Sequence, residues 1–124
     1  MQLYKEKIKA HYLNPQNSGA LSKFTHRAKV SNLSCGDEVE IYLNVVDDII
    51  TDAHHVTGGC AIAVATASIL TSYLLNKSLA EINSLNLEKI QELIGMELAP
   101  ARQRCATISL EALKDAVASR VAYN

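Results

Sequence analysis

Glu38-Val39-Glu40-Ile41-Tyr42-Leu43-Asn44-Val45 is the stretch that decides the fold class. Val39, Ile41, Leu43 and Val45 alternate with Glu38, Glu40, Tyr42 and Asn44. Side chains of a strand point alternately to its two faces, so this period of two predicts a half-buried strand. Asp47-Asp48 marks a turn after it. Residues 49–57 read as the next strand, with an alternation that is ambiguous at His54 and His55. Residues 23–34 read as a strand before it. Three strands in sequence with short connections predict an antiparallel meander.

The period changes at Ala61. Ala61, Ile62, Ala63, Val64, Ala65, Ala67, Ile69, Leu70, Leu74 and Leu75 make a helix apolar on nearly every side, hence largely buried. Ser78 can cap a short helix over residues 79–82, and Asn86 another over 87–94 that ends at Gly95. Pro100 suits the opening of a last helix reaching about residue 121, with Ile108, Leu110, Ala112, Leu113, Ala116 and Val117 on its apolar side. At the other end, residues 3–13 read as a helix. Leu3, Ile8 and Leu13, with Tyr4 and Tyr12, supply its apolar side, and Asn14-Pro15 stops it. Residues 16–19 read as a loop. The expected class is α+β: a three-stranded antiparallel sheet packed against helices, in a single compact domain over residues 1–124.

The chain has 124 residues, of which 48% are hydrophobic, enough for one packed core and too few residues for two. Charged residues make up 20% and the formal net charge is −1. Such a balance offers no broad field for nucleic acid or anionic lipid, so neither is an expected partner. No signal peptide is recognisable near Met1. Residues 53–76 carry no Asp, Glu, Lys or Arg, yet Thr57, Gly58, Gly59, Thr66, Ser68, Thr71 and Ser72 interrupt them, so no membrane span is expected. The expected location is the cytoplasm.

Chemistry points to the cysteines. There are three, Cys35, Cys60 and Cys105, an odd number that argues against a disulfide framework. None forms a CxxC pair, so spacing alone is weak evidence for a metal. Their settings say more. Cys35-Gly36-Asp37 sits at a turn between two strands, where Gly36 permits a sharp bend and Asp37 adds an oxygen donor. Gly58-Gly59-Cys60 lies where a strand passes into the buried helix. Cys105 lies near the start of the last helix beside Arg102 and Arg104. Helix starts and guanidinium neighbours favour the thiolate, which both binds metal and attacks a sulfur donor. Three thiolates and a carboxylate would suit tetrahedral zinc or part of an iron–sulfur cluster. Residue chemistry leaves a second reading open, in which all three are small buried hydrophobes. His54 and His55, as strand neighbours, cannot easily share one ion. His11 and His26 read as isolated surface residues.

Four motifs in order narrow the choice: Asn14-Pro15-Gln16-Asn17-Ser18-Gly19, Cys35-Gly36-Asp37, Gly59-Cys60-Ala61-Ile62-Ala63, and Pro100-Ala101-Arg102-Gln103-Arg104-Cys105-Ala106. Together they resemble the U-type iron–sulfur scaffold family, which includes IscU, the N-terminal domain of NifU, and SufU. The resemblance runs from Tyr4 to about Ala118. It implies a three-stranded sheet with helices on one side. It implies a scaffold that accepts sulfur from a cysteine desulfurase, assembles a [2Fe–2S] cluster and passes it to apo iron–sulfur acceptor proteins, with zinc in the same site when no cluster is present. The ligands it implies here are Cys35, Asp37, Cys60 and Cys105, and the three cysteines are the candidate sulfur acceptors.

The chain departs from the family in places. IscU-like members have His before the last cysteine, where this chain has Arg104, which cannot ligate a metal. That makes Asp37 the natural fourth ligand and resembles SufU. SufU members carry an insertion before this motif, and residues 78–99 leave no room for it. The motif Leu-Pro-Pro-Val-Lys, read by an Hsp70-type chaperone, survives only as Leu98-Ala99-Pro100-Ala101-Arg102. Three functions are therefore expected in order: a cluster scaffold, a zinc-dependent sulfurtransferase taking persulfide sulfur, and a zinc-stabilised structural domain.

Overall fold

The structure is a computed structural model that describes residues 2–32 and 36–120, with the backbone alone for residues 2–5. Strands β1 (His26–Asn32), β2 (Asp37–Val46) and β3 (Ile49–Gly58) form one sheet in the order β1-β2-β3, antiparallel throughout. Five helices accompany it: α1 (Gln2–Leu13), α2 (Ala61–Leu74), α3 (Leu79–Asn83), α4 (Leu87–Ile94) and α5 (Pro100–Ala118). The expected class therefore holds.

The hairpin between β2 and β3 turns on Asp47 and Asp48, both with positive φ (52° and 64°). That handedness matches the twist of the flanking strands, and Asp tolerates it better than bulkier residues. The alternation of β2 then does what its period requires. Val39, Ile41 and Leu43 are fully buried and face α2 and α5, while Glu38 and Arg27 remain exposed on the other face. In this register Ile41 lies between Ala28 of β1 and His55 of β3. His55 thus faces the core and its neighbour His54 faces outward. The helix caps are those expected. Ser78 forms a reciprocal capping box with Glu81, Asn86 accepts from the Lys89 N–H, and Gly95 closes α4.

The outer edge of β3 is covered by the segment after α1. The Gly19 N–H donates to the His55 carbonyl at 2.9 Å, and the His55 N–H to the Asn17 carbonyl at 3.0 Å. Asn17 Nδ2 donates to the hydroxyls of Thr71 and Ser72, each at 3.0 Å, and the Gln16 N–H to Ser68 Oγ at 2.7 Å. Residues 16–19, expected to be a loop, are therefore a strap. An uncovered sheet edge exposes unpaired backbone groups, and the strap pairs with them.

Other expectations need correction. Tyr12 and Leu13 are 44% and 67% exposed and so do not belong to the buried side of α1; Ile8 packs on the core, and the side chains of Leu3 and Tyr4 lie outside the described residues. His26 is buried because it falls on the inward row of β1 opposite Leu43, and it bonds to Thr25 Oγ1 at 2.8 Å. His11 is half-buried and bonds to Ser68 Oγ at 2.7 Å. Helix α5 ends at Ala118, and residues 121–124 lie outside the described residues.

His55 Nε2 lies 2.9 Å from the Gln16 carbonyl and Nδ1 lies 2.8 Å from Thr57 Oγ1. A carbonyl only accepts, so Nε2 carries the proton and Nδ1 accepts from the Thr57 hydroxyl. Burial holds the His55 pKa below its ordinary 6.5, and His54 acts the same way, against an opposing contribution from the Gln16 carbonyl. Burial likewise lowers His11 and His26, aided by Lys7 and Arg120 respectively. Between the lowered folded pKa and 6.5 the unfolded chain binds more protons, so this stability is complete above 6.5 and lost as pH falls through that window. Urea midpoints of chelator-treated protein should fall as pH drops below about 6.5. His55→Gln should remove part of that slope; an unchanged slope would contradict the burial argument.

Candidate metal centre

Asp37 is the first residue of β2, and it occupies the inward row of that strand together with Val39 and Ile41. It is 2% exposed. A carboxylate in such a place must be bonded, because burying a charge without partners is costly. The Cys60 N–H donates to Asp37 Oδ1 at 3.0 Å, and Cys60 Sγ lies 4.0 Å from Oδ2.

Gly59 makes that approach possible. Its φ is +141°, a region that side chains rarely adopt. A Cβ there would collide with Asp37 Oδ1 and come within 2.9 Å of Cγ and 3.0 Å of Cα. Gly59 then hands the chain to Cys60, the N-cap of α2, whose own side chain makes no capping bond and stays half-buried. Gly36, with φ +75°, delivers the chain into β2 just before Asp37.

Cys105 completes the group from a third element. The ligand atoms of Asp37, Cys60 and Cys105 all lie within 4.8 Å of one another. Donors around a four-coordinate zinc sit about 3.3–3.8 Å apart, so a small inward movement of these side chains would close on an ion. Cys35 lies outside the described residues. His54 and His55 face opposite sides of the sheet, and neither belongs to this cluster.

One expectation is overturned. Cys105 does lie near the start of α5, but as its sixth residue it falls in the second turn, where the end field of the helix has faded, so the expected activation to thiolate does not apply. Arg102 and Arg104 are exposed, while Cys105 is buried. Burial pushes the Cys105 thiol up to about 12, and the adjacent Cys60 and Asp37 push in the same direction. Cys105 therefore keeps its proton in metal-free protein. The same packing fits a cation. A thiol whose pKa is raised by burial and nearby negative charge is one that a bound ion deprotonates, releasing the proton. The donor set of two thiols and a carboxylate suits zinc or iron.

Gly59 is the functional residue that sequence reasoning passed over; the Gly-Gly pair before Cys60 was its signal. Gly59→Ala should destabilise the protein by about 1–3 kcal/mol through backbone strain and collision. It should also weaken zinc binding about tenfold, because Asp37 must move. Gly36→Ala meets open space and should cost only its strained φ. Denaturation and zinc titration of both variants check this. Equal zinc affinities for Gly59→Ala and the parent would contradict it.

Comparison with known proteins identifies the family. The family model described as NifU-like N terminal domain matches residues 3–123. An iron–sulfur cluster assembly scaffold protein IscU from Haemophilus influenzae is 35% identical over 119 residues, covering 93% of each chain. A zinc-dependent sulfurtransferase SufU from Bacillus subtilis is 32% identical over 139 positions, covering 98% of this chain and 94% of the relative. Those positions outnumber the 124 residues here, so the SufU relative carries sequence that this chain lacks. A crystal structure of a NifU-like protein (N-terminal) from Brucella abortus superposes with TM-score 0.77 at 19% identity over 93% of this chain and 92% of that one, a likeness of fold. With nearly its whole length matched, the chain belongs to the NifU-like N-terminal domain family, the group that holds the IscU, NifU and SufU proteins.

Proposed function

We propose that this chain is a scaffold for iron–sulfur cluster assembly, a single NifU N-terminal-like domain over residues 1–124. It accepts sulfur from a cysteine desulfurase and binds a transient [2Fe–2S] cluster, or zinc, through Cys35, Asp37, Cys60 and Cys105. The observation that carries this reading is the convergence of Asp37, Cys60 and Cys105 from three separate elements. The 35% identity to an IscU scaffold supports it.

Each residue has a task that follows from its chemistry. A cysteine thiolate attacks the outer sulfur of the desulfurase persulfide. The S–S bond of the donor breaks, the desulfurase thiolate leaves, and the persulfide now stands on this chain. The cysteines hold metal firmly, being soft ligands, whereas the Asp37 carboxylate is harder and exchanges more readily. Asp37 thus opens one corner of the site when a sulfur donor or an apo-protein acceptor arrives. An Hsp70-type chaperone would have to read the altered segment 98–102, of which Ala99, Pro100, Ala101 and Arg102 are exposed. We assign the protein to the cytoplasm; among the described residues no helix is long and apolar enough to cross a membrane.

A zinc-dependent sulfurtransferase is the second reading. Arg104 in place of the IscU-like His, and the 32% identity to SufU, favour it. The sequence missing relative to SufU opposes it.

Anaerobic reconstitution with iron and sulfide separates the two. The scaffold should gain a visible-absorbing cluster. A protein that keeps zinc and only stimulates the desulfurase would contradict the scaffold reading. Asp37→Ala should retain bound metal or cluster and slow its transfer to an acceptor about tenfold. Transfer at the parental rate would remove Asp37 from the release step.

A further inference from the structure

Two buried hydroxyls have no hydrogen-bond partner among the described residues, Thr66 Oγ1 on α2 and Ser109 Oγ on α5. Thr66 is 1% exposed and Ser109 is fully buried. A buried donor left unmade is a standing cost, and native interiors rarely keep one without a use.

The position of Ser109 suggests its use. It lies four residues after Cys105 on the same helix. The helical period puts both on one face, and side chains of a helix lean toward its N-terminus, which is the Cys105 side. A neutral thiol is a weak acceptor. A metal-bound thiolate carries negative charge and accepts strongly. On its own helix Thr66 has no such neighbour: it stands six residues after Cys60, turned away from it by the same period.

We propose that the Ser109 hydroxyl donates a hydrogen bond to the Cys105 sulfur when that sulfur holds metal, and so tunes how firmly Cys105 ligates. Ser109 is a positioning residue; it touches no substrate. The inference rests on the reading of Cys105 as a ligand. The competing acceptor is the Cys105 carbonyl one turn back, the usual partner of a serine within a helix. That bond is not made in this structure, and if it formed in solution it would not depend on metal.

Three full-length proteins decide between them: the parent, Ser109→Ala, and Thr66→Val as control. Each is titrated with zinc against a competing chelator and with cobalt(II) as a coloured substitute, and each is melted without metal. Removing an unpartnered hydroxyl should raise the metal-free melting midpoint of both variants, by about 4 °C. Ser109→Ala alone should weaken zinc binding about tenfold. It alone should also move the sulfur-to-cobalt charge-transfer band to lower energy, because a thiolate without its donor holds its electrons less tightly.

Unchanged zinc affinity and band position in Ser109→Ala would overturn the proposal in favour of the carbonyl. A lowered metal-free midpoint in Ser109→Ala would overturn it too, since the hydroxyl would then have a partner before metal arrives. A parent that binds neither zinc nor cobalt would remove the ligand reading itself, and this inference with it.

Discussion

The hydrogen bond from the Cys60 N–H to Asp37 Oδ1, at 3.0 Å, ties the start of β2 to the start of α2. These two points belong to different layers of the fold, one in the sheet and one in the helices that cover it. The bond joins them where β3 leaves the sheet and becomes α2. It needs a residue without a side chain immediately before Cys60, and Gly59 supplies one. It also needs Asp37 on the inward row of β2, which the alternation beginning there dictates. A slip of one residue in register would turn Asp37 to solvent and disperse the site.

That constraint gathers groups that repel. Asp37, Cys60 and Cys105 bring their ligand atoms within 4.8 Å, in a region closed to bulk water around Asp37 and Cys105. Without a cation the cluster resolves the conflict by protonation, and Cys105, pushed up to about 12, keeps its proton. With a cation the same closeness becomes attraction. Folding and metal binding are then coupled, because the donors come from β2, the α2 junction and α5. The strap over β3 and the packing of α2 and α5 against the sheet hold those three elements in place from outside the site.

Much of this was legible in the sequence, for identifiable reasons. Periods of two and 3.6 are backbone geometry, so the strand after Asp37 and the helix after Cys60 could be read directly. Ser78, Asn86 and Asp47-Asp48 act locally, so caps and turn were legible too. Tertiary placement was not. Nothing local marks His26 as buried; only its register against Leu43 does. The segment 16–19 has loop chemistry, and its role as a strap arises from a strand edge far along the chain. Cys105 reads as an activated thiol beside arginines, yet it is buried in the second turn of α5 and they are exposed. The candidate ligands were found by motif. The glycine that lets two of them meet was quoted without its purpose, and Ser109 carries no sequence signal at all.

We propose a site of three thiolates and one carboxylate, firm at its sulfurs and labile at Asp37. Zinc K-edge absorption fine structure of the zinc-loaded protein tests it most directly. Such a site should show three sulfurs at about 2.3 Å and one oxygen at about 2.0–2.2 Å. An imidazole signature in the outer-shell scattering, or only two sulfurs around the metal, would contradict it.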